Sequence, residues 1–158
     1  MRSRTDDVAR TVQGHGLSIE VPSGWEARIS LATDGPAGGT RNPVLHAASA
    51  PLPEVRGDFG GGVVERLPIS GVFIALIEYD REAAGTPLFE MAGLPRALTG
   101  SQFRTNTLQR GVAGQSGAQW FRRVRGRAFC LYVVLGAHRD RFRLATLANR
   151  VVQTIEVD

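Results

Sequence analysis

The sequence predicts an α+β fold: a mostly antiparallel β-sheet with helices packed on its faces and a helix at the C-terminus. Three observations carry this. Residues 117–136, GAQWFRRVRGRAFCLYVVLG, set two β-prone runs on either side of Arg125-Gly126. That pair suits a tight hairpin turn, because glycine tolerates positive φ. Residues 72–79, VFIALIEY, are apolar on both faces until Glu78, as a strand buried on both sides must be. Residues 142–155 repeat apolar side chains at helical spacing, with Phe142, Ala145, Asn149 and Val152 in one row and Leu144, Ala148, Val151 and Ile155 in the next.

In chain order, residues 1–15 lack apolar periodicity and predict a disordered tail, followed by a single domain over 16–158. Residues 16–21 alternate, with Leu17, Ile19 and Val21 on one face, which predicts a half-buried strand. Pro22-Ser23-Gly24 is turn chemistry, and Trp25, Ala27, Ile29 and Leu31 then continue an alternating pattern. The two runs predict a hairpin, with Trp25 closing one end of the core. Residues 33–43 and 51–62 are rich in glycine and proline and predict loops around a weak strand at 44–50. A single helical turn is expected over 63–67 and a short helix over 87–91, the latter with Thr86 as N-cap before Pro87. Residues 96–116 predict irregular structure. In the hairpin, Val124 faces Arg127, Arg122 faces Phe129 and Trp120 faces Leu131. Trp120, Arg122, Val124, Arg127 and Phe129 then share one face, and Phe121, Arg123, Arg125, Ala128 and Cys130 the other.

Composition bounds the function classes. The chain of 158 residues suits one domain, and all 19 of its basic residues are arginine. Arginine codons are GC-rich, so the absence of lysine fits a bacterial protein from a high-GC genome better than selection for guanidinium chemistry. Up to Pro95 there are eight arginines against twelve acids; from Arg96 onward there are eleven against three. That asymmetry either marks a docking face for an acidic partner or is neutralised inside the fold, and the second is the simpler reading. The single cysteine, Cys130, excludes an intrachain disulfide and lies in an apolar strand, where it acts as a small hydrophobe. Residues 1–13 carry no apolar signal core and no run is long enough to span a bilayer, so a soluble, cytoplasmic protein is expected.

No catalytic constellation stands out, and neither a metal nor a cofactor is expected. His15, His46 and His138 match no ligand spacing, and His46 reads as a packing or hydrogen-bonding residue within a strand. Gly114-Gln115-Ser116 resembles the start of a nucleophile elbow, but the closing position is Ala118 and a strand follows the serine. Gly57-Asp58-Phe59-Gly60-Gly61-Gly62 could expose N–H groups to phosphate, yet no phosphate-loop lysine exists, and a flexible loop is the plainer reading. Asp58 and Glu65 beside it are weak cation ligands. The best binding candidate is Trp120 with Arg122, Arg123, Arg125 and Arg127. Guanidinium groups pair bidentately with carboxylate or phosphate and stack on aromatic rings, although arginines also commonly solubilise a hairpin tip.

LSIEVPSGWEA, GRAFCLYVVLG and LATLANRVVQTIEV resemble the PsbP-like superfamily, which includes the extrinsic photosystem II PsbP protein and the Ran-binding Mog-type proteins. The likeness is nearest to uncharacterised members from high-GC bacteria. It implies an α/β/α sandwich and a non-catalytic binding or assembly module that recognises a protein partner. It carries no functional residue with it. The alternative is that the arginine-rich hairpin binds nucleic acid or another anionic ligand.

Overall fold

The computed structural model describes residues 9–32 and 41–158. Its strands are β1 (Arg10–Gly14), β2 (Leu17–Val21), β3 (Glu26–Leu31), β4 (Pro43–Ala48), β5 (Val72–Glu78), β6 (Ser116–Val124), β7 (Arg127–Leu135) and β8 (Glu156–Val157); the one α-helix among the described residues is α1 (Arg141–Val152). A three-stranded sheet has the order β1-β2-β8 and a five-stranded sheet the order β3-β4-β5-β7-β6. Every pairing within them is antiparallel. The α+β class, the antiparallel pairing and the C-terminal helix all match the expectation. β5 and β7 are interior strands, each flanked on both sides.

β6 and β7 take the predicted register, Val124 opposite Arg127 and Trp120 opposite Leu131. Arg125 and Gly126 both have positive φ, 50° and 73°, as the two-residue hairpin turn of this hand requires. Alternation then sorts β7 between two cores. Phe129, Leu131, Val133 and Leu135 face a core shared with Leu17, Ile19 and Val21 of β2 and with Leu144, Ala145, Ala148 and Val151 of α1. Cys130, Tyr132 and Val134 face Phe73, Leu52, Val63, Val64 and Leu67. Both faces are buried, and each fully buried large side chain contributes about 1.5–3 kcal/mol.

Several expectations need correction. Residues 1–15 are not all tail: Arg10–Gly14 forms β1 and joins β2 through His15-Gly16, whose φ values of 52° and 75° make a second turn of the same kind. Residues 1–8 lie outside the described residues, as do 33–40 of the expected loop. The strands around Pro22-Ser23-Gly24 do not form a hairpin. β2 pairs with β1 and β8, whereas β3 pairs with β4. The turn, closed by Trp25 N–H donating to Pro22 O at 3.2 Å, carries the chain from one sheet to the other. The apolar faces of the two strands therefore meet across the core instead of lying side by side, and Trp25 is half-buried against that core.

The single turn expected over 63–67 is present as the 3₁₀ turn Val64–Arg66. The short helix expected over 87–91 is only a 3₁₀ turn, Pro87–Phe89. Thr86 does not cap; its hydroxyl donates to Ala83 O at 2.6 Å. Phe142, placed on the apolar stripe by its spacing, is 60% exposed and lies in the first turn of α1 against Gly100. The stripe's polar member is satisfied: Asn149 Oδ1 accepts the Leu98 N–H at 2.9 Å, which ties the irregular stretch before β6 onto α1. One face of the five-stranded sheet thus carries α1 and the small sheet. The other is covered by loops and 3₁₀ turns, where the sandwich expectation had placed a helix.

Candidate functional site

The arginines of the hairpin have different roles, and the division does not follow its two faces: Arg122 shares a face with Arg127 but not its partners. Arg127 is held by Glu78 through two hydrogen bonds of 2.8 Å, from Nε to Oε2 and from Nη2 to Oε1. Its guanidinium also donates to His15 O at 3.1 Å, Gly16 O at 3.4 Å and Asp158 O at 3.3 Å, and lies over the Phe129 ring. Hydrogen bonding to Glu78 raises its pKa further above an already high value. Arg127 therefore drops out of the predicted binding surface. It is a clamp joining the end of β5, the β1–β2 turn and the C-terminal residue.

Arg122, Arg123 and Arg125 differ. Arg123 and Arg125 are exposed and Arg122 is half-buried, and none makes a side-chain hydrogen bond or ion pair among the described residues. Trp120 is half-buried, edge-on to Phe103 with ring centroids 6.1 Å apart. On the opposite face Phe121 packs against Tyr79 and Phe89. So four of the five predicted residues remain on one strand and its tip.

The structure adds residues that sequence reading missed. Leu88 and Met91 are 57% and 59% exposed. They line a cavity of about 560 Å³ together with Glu90, Trp120, Phe121 and Arg122. A partial signal exists: Leu88 lies in a proline-led turn that points Phe89 inward, and Met91 lies just after it.

β6 is an edge strand, strapped at both ends. At one end Arg123 N–H donates to Met91 O and Gly93 N–H to Arg123 O, both at 2.9 Å. At the other, Arg104 and Gly117 exchange two 2.9 Å hydrogen bonds. Gly117 and Arg123 are both odd-numbered, so by strand period the main-chain groups of Gln119 and Phe121 also point outward. Neither has an outward partner among the described residues.

A second cluster lies at the opposite edge of the sheet. His46 is 2% exposed. Arg56 Nε donates to its Nδ1 at 2.8 Å, so the proton sits on Nε2, which donates to Asp58 O at 2.7 Å. Burial lowers the His46 pKa to about 4. Arg28, Glu54, Arg56 and Asp58 line a cavity of about 600 Å³ beside it. With both nitrogens engaged, this imidazole is a neutral lock holding residues 51–62 on the sheet, and it has no free lone pair to act as a base.

The other candidates resolve into structure. Within the glycine run, Gly57, Gly60 and Gly62 spend their N–H groups on Gly61 O, Gly57 O and Glu65 Oε2 at 2.7–2.9 Å. Gly60, at φ 87°, has no room for a side chain: a Cβ would stand 2.6 Å from the Phe73 ring. The segment is an ordered plug over Phe73, and Glu65 also pairs with Arg110 at 3.3 Å. Ser116 is fully buried at the start of β6, and its hydroxyl has no hydrogen-bond partner. His15 sits in the β1–β2 turn, and His138 begins a 3₁₀ turn before α1. Burial pushes the Cys130 thiol up to about 12, which makes it unreactive. Among the described residues no group of three or more His, Cys, Asp or Glu is placed to hold a metal ion, and no helix is long and apolar enough to cross a membrane. Comparison with known protein families, curated proteins and solved structures returns no match.

Proposed function

We propose that the chain is a non-catalytic binding or assembly module of PsbP-like type, working in the cytoplasm, that recognises a protein partner through the surface around β6. One observation carries this reading. Arg122 and Arg123 on β6 and Arg125 at its tip, none with a side-chain partner among the described residues, accompany a half-buried tryptophan and two exposed aliphatic side chains along this strapped sheet edge. Tryptophan and arginine are the residues that concentrate binding energy at protein interfaces, with aliphatic neighbours excluding water around them. What supports the PsbP-like reading is the order of elements, with a long central hairpin followed by a terminal helix on one sheet face.

Nucleic acid or another anionic ligand is the lesser reading. Arg122 and Arg123 point to opposite faces of β6, and Arg127 is committed to Glu78, so no four-arginine phosphate clamp forms.

The test is a Leu88→Ser, Arg122→Glu double variant. It should fold with unchanged circular dichroism yet lose the one stoichiometric partner that co-purifies with the parent. Equal retention of that partner would overturn the reading. So would tight binding to duplex DNA whose affinity falls steeply with salt and is abolished in the variant.

A further inference from the structure

We propose that the open middle of β6 takes a short, extended, acidic peptide segment as an added strand; this rests on the reading that the β6 surface meets a protein partner. The hydrogen-bonding groups are in place. Gln119 and Phe121 each present one outward N–H and one outward C=O, between the strap at Gly117 and the strap at Arg123. Six residue intervals at strand rise separate the straps, about 20 Å, and with the strap main chain occupying one level at each end about three incoming residues can pair in the gap. Strand addition at an exposed edge draws affinity from the main chain and specificity from alternate side chains.

The surroundings choose the occupant. Leu88 and Met91, exposed at the rim, offer an apolar seat beside Trp120. Arg122 and Arg123 flank that seat on the two faces of the strand, so an incoming strand meets a guanidinium whichever way its side chains alternate. Glu90 is the one carboxylate lining the cavity. The segment that fits therefore has acidic residues around a central aliphatic one. A second copy of the chain does not fit. A partner β6 runs on past the gap at both ends, so its ends would fall on the first copy's straps, and its own straps on the first copy's β6. Only a segment that turns away at both ends can occupy the gap.

The experiment uses the whole chain and a set of capped pentapeptides in which Asp or Glu alternates with Val or Leu. Binding should slow amide exchange at Gln119 and Phe121 by tenfold or more, with little change at Ala118 and Trp120, whose N–H groups already bond β7. N-methylation of the peptide at the pairing amides should weaken binding at least tenfold, as should Arg122→Glu with Arg123→Glu. The same peptides with lysine in place of the acids should not bind. Absence of protection at Gln119 and Phe121 with the whole set at millimolar concentration would overturn strand addition. So would equal affinity of the N-methylated peptide. In either case, a co-purifying partner that is still lost in the Leu88→Ser, Arg122→Glu variant would leave the protein-partner reading standing. Its retention would remove both.

Discussion

The two faces of β7 are built by different means. Toward α1, Phe129, Leu131, Val133 and Leu135 meet mainly regular elements, and apart from the Arg127 guanidinium over the Phe129 ring the contacts are apolar. On the reverse face, Cys130, Tyr132 and Val134 meet loops, and polar locks hold those loops down. The Tyr132 hydroxyl accepts the Gln109 N–H at 2.9 Å, Gln115 Nε2 donates to Val64 O at 2.7 Å, and His46 bonds Asp58 O and Arg56. A helix or a sheet satisfies its own main chain and needs only an apolar face. A loop brings unsatisfied groups to the core, so each covering loop needs a side chain to receive it. The helix face should therefore respond to lost volume and the loop face to lost hydrogen bonds and to pH.

The largest effect is expected on the helix face. Phe129→Ala removes a fully buried ring from a core sealed by α1 and the small sheet, and should cost about 3–5 kcal/mol in urea unfolding. A cost below about 1 kcal/mol would mean that the core can collapse around the gap, and the contrast between the faces would fail.

At the rim joining both layers, Arg127→Met strands Glu78 and releases three carbonyls. Both partners' side chains are only 14–15% exposed, so the loss should be about 3 kcal/mol. Adding Glu78→Leu should recover most of it, because the stranded carboxylate is the main penalty. A double variant no more stable than the single would show that the bonds to His15, Gly16 and Asp158 matter more than the ion pair.

The loop face should be sensitive to acid. The His46 pKa falls from 6.5 to about 4 on folding, so the unfolded chain binds the extra proton first. The stability held by neutral His46 is present in full above pH 6.5 and is lost as pH drops from there through about 4. The loss reaches about 3 kcal/mol at most. His46→Gln should flatten the pH dependence in that window, with amide exchange in residues 51–62 becoming the first to quicken in the parent. A parent and variant with the same slope would remove His46 as the lock.

Legibility in the sequence follows the same division. Periodicity exposed β5, β7 and α1, because each buries its side chains by a repeating rule. The Arg125-Gly126 turn was found because β-prone runs flank it. His15-Gly16 has the same backbone but was passed over, since β1 has an exposed, polar face and only Val12 reaches the core. The turn at Pro22-Ser23-Gly24 was recognised as a turn, but its direction depends on which sheet each strand joins, and nothing within five residues encodes that. The His46–Arg56–Asp58 lock and the strap at Met91–Gly93 are contacts between segments without period. In the candidate site, residue type singled out Trp120 and the arginines. The commitment of Arg127 to Glu78 depends on the register of β5 against β7, which no local pattern carries.

The smallest effect sharpens the contrast within the hairpin itself. Arg123 and Arg125 are exposed and without side-chain partners among the described residues, so replacing both by serine should change stability by less than about 1 kcal/mol, against about 3 kcal/mol for Arg127 alone. Arg125 needs one qualification of geometry. It holds φ at 50°, and serine there carries the same strain, so the comparison isolates the guanidinium from the turn. Asparagine at 125, which tolerates that region better, should match or exceed the parent's stability. A loss above about 1 kcal/mol in the serine double variant would place the cost in the guanidinium groups, and the tip would then belong with Arg127 as structure instead of with Arg122 as surface.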